Sequence, residues 1–369
     1  CFGKPEEEAV LVYDRYTVDT YVKSIFEGSI VYNESAMIIK NEDGSYPDIS
    51  LLYPITEIIS VRNSFLKKEY EAGKDYELAD GKIRILEGSK MPSLAHDDYY
   101  LKEAKPNASF GRIGGGYLMF AEGDTIHNHQ IAVTYRHSAT WVGFRQPFKG
   151  SLLPKTMAKL EKNEPLKIVY LGDSITTGAN SSGVINTAPF APGWPTMICD
   201  GLKKLYGKDV SYENFAVGGT VASWGVTETT AKVLPAAPDL FVIAFGMNDG
   251  SLKRATKAYI KNITDMMDAV TASNPNCEFL LIASMLANPQ LSGFAGRQEE
   301  YEPALLALEK EGVAVVQMTS IHRDLLTRKN YYDMTGNNVN HPNDFLARMY
   351  AQSVIAALIE HPSQVVTSK

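Results

Sequence analysis

Cysteine is scarce in this chain: three in 369 residues. Three cysteines make no disulfide framework. No C-x-x-C pair occurs, so zinc ribbons and thioredoxin-like chemistry are unsupported. Cys199 and Cys277 lie in apolar surroundings and read as small buried hydrophobes. Positive charge is also short. Lys and Arg total 36 against 43 Asp and Glu, a net charge of −7. A chain with that balance is no natural partner for nucleic-acid backbones or anionic membrane surfaces. No apolar run approaches the roughly 18–20 residues of a membrane span. Glycine and proline, at 28 and 18, are ordinary, as are 44% hydrophobic and 21% charged residues, which excludes collagen-like and disordered architectures. The zinc-protease H-E-x-x-H run, the phosphate-binding P-loop and a helix-opening G-x-G-x-x-G are all missing. No metal and no cofactor is therefore expected. His127-Asn128-His129 offers two ring nitrogens on what reads as a strand, but no third ligand stands at convincing spacing, so a polar strand edge is the preferred reading.

The first residue is Cys1 rather than Met, followed by the polar stretch Gly3-Lys4-Pro5-Glu6-Glu7-Glu8. One reading is a mature bacterial lipoprotein with its lipid on Cys1; the other is an arbitrary starting point. The first implies a secreted or cell-surface protein, and a cytoplasmic one stays open under the second. A signal peptide would already be gone. No membrane insertion beyond such an anchor is expected.

What is present divides near residue 150. In residues 1–150, short strand-like runs at Ser29–Val31, Ala36–Ile39, Glu57–Val61 and Lys82–Leu86 are separated by turn residues such as Asp80-Gly81 and Gly114-Gly115-Gly116. Ile131, Val133 and Tyr135 alternate with Ala132, Thr134 and Arg136, the period of a half-buried strand. This predicts a β-sandwich or jelly roll. Residues 151–369 alternate strands and helices instead. Apolar strands are predicted at 167–171, 210–217, 240–245, 279–284 and 313–318. Ile260, Ile263, Met266, Met267 and Val270 form one apolar helix face, and a last helix is predicted over 344–359. Such alternation predicts an α/β unit with a parallel sheet covered on both faces, whose ligand site lies at the carboxyl ends of the strands.

Four blocks stand at those ends. Gly172-Asp173-Ser174 follows the first strand, where a serine can present its hydroxyl at the rim. Gly218-Gly219 follows the second; without a Cβ, a backbone N–H there can approach a ligand closely. Asn248 follows the third, and its amide can donate to a developing oxyanion. His341 precedes the last helix and can reach the serine from the opposite side. Each block is weak alone. Ser, Gly, Asn and His in this order resemble the SGNH (GDSL-type) hydrolases, over residues 167 to about 359. The resemblance implies a flavodoxin-like, three-layer α/β/α fold and an acyl-ester hydrolase. It implies Ser174 as nucleophile and His341 as general base. It also implies an oxyanion hole of the Ser174 and Gly219 N–H groups with the Asn248 side chain. Gly219 is taken over Gly218 because it stands at the family's distance from Asn214.

One position departs from the family. Three residues before His341, where an Asp is usual, stands Asn338. A neutral amide cannot stabilise an imidazolium as a carboxylate does, although its carbonyl can orient Nδ1–H. Three arrangements stay open: a Ser–His dyad with a main-chain carbonyl orienting the ring, direct acceptance by Asn338, or a carboxylate from elsewhere, such as Asp333 or Asp344.

A β-sandwich joined to such a hydrolase resembles two-domain carbohydrate esterases that remove acetyl groups from plant polysaccharides. On that likeness an acylated carbohydrate is the expected partner. Asp173, Trp194 and Trp141 are the candidates for contacting it, with core packing as the bland alternative for each Trp. Trp224 follows the glycine block. A lipid-directed esterase or lysophospholipase is a second expectation, weakened by the lack of bulky aliphatics in the loop 180–193. A third is a carbohydrate-binding protein whose hydrolase domain is vestigial.

Overall fold

The computed structural model describes residues 9–207 and 209–360. The lipid-anchor expectation at Cys1 lies outside the described residues. Eight short strands occupy the first half: β1 (Ile30–Met37), β2 (Glu57–Asn63), β3 (Tyr76–Ala79), β4 (Lys82–Ile85), β5 (Tyr100–Leu101), β6 (Ser109–Gly111), β7 (Tyr117–Met119) and β8 (Gln130–Arg136). All their pairings are antiparallel. They form three small sheets, β1-β8-β2, β3-β4 and β5-β7-β6, instead of the two facing sheets of a sandwich. The expected runs at 29–31 and 36–39 are one strand, β1, with an irregularity between Val31 and Glu34.

β8 is the middle strand of its sheet and is buried on both faces, not half-buried as its alternation suggests. Its apolar face holds Ile131, Val133 and Tyr135. The opposite face is covered too, and Thr134 there bonds the Tyr13 hydroxyl at 2.7 Å. His127 lies in a short helix, Thr125–Asn128, rather than on a strand. It is buried, with Nε2 3.0 Å from the Ala188 carbonyl. Among the described residues, no group of three or more His, Cys, Asp or Glu is arranged to hold a metal ion. No helix of the described residues is long and apolar enough to cross a membrane.

The second half contains one five-stranded sheet: β9 (Leu166–Gly172), β10 (Val210–Asn214), β11 (Leu240–Ala244), β12 (Glu278–Ile282) and β13 (Val313–Val316). All its pairs are parallel and the order is β10-β9-β11-β12-β13, the flavodoxin-like winding. Because successive side chains leave a strand on opposite faces, the four strands β9, β11, β12 and β13 feed two cores, while the edge strand β10 feeds one through Val210 and Tyr212. Ile168, Tyr170, Leu240, Val242, Leu280 and Ile282 enter one, with the helices Trp194–Tyr206 and Asp344–Leu358. Val169, Leu171, Phe241, Ile243, Phe279 and Leu281 enter the other, with the helix Thr256–Ser273. That helix buries Tyr259, Ile263, Met266, Met267 and Val270 and leaves Ile260 half-buried. The result is a helix–sheet–helix sandwich.

The first of these cores does not stop at the hydrolase-like half. It runs on through Val31, Tyr53, Val61, Ile83, Ile131, Val133 and Tyr135. A polar seam accompanies it. Glu34 and Lys329 form an ion pair at 2.7 Å with both side chains fully buried. Glu34 also accepts from the Tyr135 hydroxyl and the Leu52 N–H, and Lys329 donates to the Ser35 carbonyl, so the charges are amply hydrogen-bonded. Asp333 and Asn343 bond β1 and β8 residues across the same seam.

Candidate active site

β9 ends in Gly172, where any side chain would collide with Thr176 and the Ala244 carbonyl, so the chain turns tightly against β11. Asp173 caps the short helix Ser174–Thr177, accepting from the Ile175 N–H at 3.0 Å. That turn delivers Ser174 to the carboxyl end of the sheet. Asp173 is 1% exposed, and burial, with the neighbouring Asp249 charge adding to it, pushes its carboxyl up to about 7. It is a cap beneath the serine, which corrects its expected place among substrate contacts.

His341 arrives from a loop built by Asn337. The Asn337 side-chain oxygen accepts from the backbone N–H groups of Val339, Asn340 and His341. The loop is closed by the Gly336 N–H and the Thr335 hydroxyl, both donating to the His341 carbonyl. His341 Nε2 lies 2.9 Å from Ser174 Oγ.

The other ring nitrogen is held by a residue that sequence reasoning did not single out. Asn180 Oδ1 stands 2.6 Å from His341 Nδ1. The amide cannot be turned over, because its Nδ2 donates to the Gly123 carbonyl, which can only accept. Asn180 must therefore present oxygen to the ring. Nδ1 then carries the proton, and Nε2 is left with its lone pair aimed at the Ser174 hydroxyl. This is the tautomer that a general base requires.

A carboxylate is present as well, from the first half of the chain. Glu122 Oε2 is 3.7 Å from His341 Nδ1, and its Oε1 accepts from Asn337 Nδ2 at 3.0 Å. Partial burial pushes this carboxyl upward, but the His341 ring and the Asn337 and Asn180 amides outweigh it and hold it below the usual glutamate range. Neither carboxylate named as an alternative is the ring's partner. Asp333 caps Asn330 and bonds the Met37 N–H, and Asp344 accepts from the Ser182 N–H.

Asn338 does not reach His341. Its φ of +66° sends the side chain the other way, into full burial. There its oxygen accepts from the Tyr99 hydroxyl at 2.9 Å and its amide donates to the Met119 carbonyl at 2.7 Å. It fastens the histidine loop to the first half of the chain. The expectation that Asn338 accepts from His341 is corrected accordingly.

The glycine loop of the expected oxyanion hole stands beside the serine. A Cβ on Gly218 would stand 3.6 Å from the Ser174 Cβ, which puts this loop beside the nucleophile. Gly219 has φ +77° with open space around it. Asn248 Nδ2 donates to the Thr220 carbonyl at 2.8 Å, pinning the glycine loop with one N–H and retaining a second.

The tryptophans are core residues. Trp194 is fully buried, stacks on Tyr350 and donates from Nε1 to the Ile175 carbonyl at 2.9 Å. It braces the nucleophile's helix from behind. Trp141 is buried against Phe26 and Tyr53 under the Arg328 guanidinium. Trp224 packs half-buried beside Phe245. Substrate contact by Trp194 or Trp141 is thus corrected to packing.

Residues 170–348 match the GDSL-like Lipase/Acylhydrolase family. The segment belongs to that family. A curated arylesterase from Vibrio mimicus is 27% identical over 116 residues, covering 31% of this chain and 54% of that protein, so the chain spans about half the length of its relative. Among solved structures, a two-domain esterase active on acetylated mannans, co-crystallised with mannopentaose, shares 23% identity. It covers 61% of this chain and 56% of its own, with a TM-score of 0.47. An acetyl-xylooligosaccharide esterase from Geobacillus Stearmophilus shares 14% identity over 52% of this chain and 94% of its own, with a TM-score of 0.44.

Proposed function

We propose that this GDSL-family chain is a serine ester hydrolase that removes small acyl groups, foremost acetyl, from carbohydrate. The observation that carries the hydrolase reading is the contact of Ser174 Oγ with a histidine whose tautomer Asn180 dictates. In the mechanism, Ser174 Oγ attacks the ester carbonyl carbon while its proton passes to His341 Nε2. Negative charge gathers on the carbonyl oxygen and meets the N–H groups of Ser174 and Gly219 and the spare N–H of Asn248. One such donor is worth about 3–4 kcal/mol in the transition state. Collapse expels the alcohol oxygen, which takes the proton from Nε2. Water then attacks the acyl-enzyme with the same histidine as base, releasing the acid and restoring the serine.

A polar alcohol moiety is favoured by the rim, where Glu122, Asn337 and Asn340 meet around the histidine. The acidic balance of the chain suits a neutral sugar.

The test is acetate release from acetylated mannan and xylan oligosaccharides beside hydrolysis of long-chain acyl esters. Acetate release that vanishes in Ser174→Ala supports the reading. Hydrolysis confined to long chains overturns the carbohydrate assignment, and full activity in Ser174→Ala overturns the nucleophile.

A further inference from the structure

Two adjacent residues of the first half of the chain reach the surroundings of the His341 ring. The Glu122 carboxylate faces His341 Nδ1 at 3.7 Å and holds Asn337, the organiser of the histidine loop. The next residue, Gly123, offers its carbonyl to Asn180 and so sets which atom that amide shows to the ring. Two adjacent residues thereby govern both the tautomer and the electrostatic surroundings of His341.

We propose that Glu122 is the carboxylate that balances the positive charge formed on His341 during turnover, supplied by the first half of the chain in place of the absent family aspartate. The inference rests on the ester-hydrolase reading above. When Nε2 takes the serine proton, the ring becomes a cation between Ser174 and Asn180. Asn180 accepts from Nδ1–H but carries no charge. Glu122 carries it, at a distance where an opposite charge favours the protonated ring.

No other carboxylate among the described residues forms an ion pair with this ring. Asp173, on the nucleophile's turn, faces inward to Ile175 N–H and Asp249. Asp344, on the helix after the histidine, faces Ser182, with His127 and Arg348 as its titratable neighbours. Glu122 is a positioning residue: it acts through His341 and touches neither serine nor ester.

The decisive measurement is the titration of the His341 ring by NMR, in the whole chain and in Glu122→Gln, with His341→Ala to assign the signal. Loss of the charge moves the ring's titration in the variant to lower pH than in the native chain. The acid limb of kcat/KM for an aryl acetate moves in the same direction. On the plateau, kcat falls about 10- to 100-fold while KM holds. The half-exposed site also gives a readout without any variant. Raising salt toward 1 M screens the pair and moves the native limb down, and this salt response disappears in Glu122→Gln.

An unchanged ring titration and unchanged limb in Glu122→Gln, or a native limb indifferent to salt, overturns the proposal. The NMR titration needs no substrate, so it reports on Glu122 even where every ester tried is refused. A native chain that hydrolyses no ester would sink the functional reading instead.

Discussion

The Asn180 side-chain oxygen and the His341 ring, 161 positions apart in the chain, are joined at 2.6 Å, and the Gly123 carbonyl fixes which way that amide faces. Replacing Asn180 by Ala removes the acceptor that selects the tautomer. The expected result is a fall in kcat of about 10- to 100-fold with little change in KM, read on an aryl acetate. Asn180→Asp sets a carboxylate oxygen against the Gly123 carbonyl. It is expected to lose stability even where it keeps part of the rate.

Asn338→Asp does not repair a missing triad. The side chain is buried, and its amide donates to the Met119 carbonyl. A carboxylate there loses that bond and meets a second acceptor, at a cost of about 1–3 kcal/mol. Denaturant unfolding should show the loss, while activity per folded molecule stays near native.

Trp194→Ala opens a cavity behind the nucleophile's helix and should cost about 3–5 kcal/mol. Trp194→Phe is milder but removes the indole bond to the Ile175 carbonyl, which keeps only the longer bond from the Gly178 N–H. In both, KM for a sugar ester is expected to hold. A large KM rise in well-folded Trp194→Phe would restore the residue to the substrate site.

Asp173 sets a pH dependence of stability. Burial raises its carboxyl from an ordinary 3.8 to about 7. Between those values the folded state keeps a proton that the unfolded chain has released, so stability falls as pH rises through this window and levels off above it. Asp249, raised to about 6 chiefly by burial, adds a fall of the same sign. Asp173→Asn keeps a capping oxygen without the charge. Its unfolding free energy relative to native should rise between pH 4 and 8, by an amount on the order of 1–3 kcal/mol.

Lys329→Met strands the Glu34 carboxylate in full burial. A cost of about 3–5 kcal/mol is expected. Because the core runs through both halves, calorimetry should show one unfolding transition in native and variant alike.

Much of the parallel sheet was legible, since all its strands but the edge strand β10 carry apolar residues on both faces and the helices between them keep a strong period. The four strand-end blocks could be read because each lies at a turn that its own neighbours build. The small sheets of the first half were not, because alternation reports one apolar face and is silent on what covers the other, as Thr134 under Tyr13 illustrates. Trp194 had a missed signal. With Met197, Ile198 and Leu202 it forms the buried stripe of one helix. Asn338 had none, since its direction follows from a left-handed backbone. Glu122 had none either: it sits in no motif, and only the packing of the two halves brings it to the histidine.

The contact of Glu122 with Asn337, across 215 positions, has a consequence for the chain as it is made. Synthesis runs from the amino end, so Glu122 and Gly123 emerge early, Ser174 follows, and the histidine loop comes close to last. A shortened product that stops before residue 337 holds a serine with no base. One that lacks the early segment holds a base with no counter-charge. Under the proposed mechanism the full charge relay around His341 is completed only when the histidine loop, the late-emerging part, docks against Glu122.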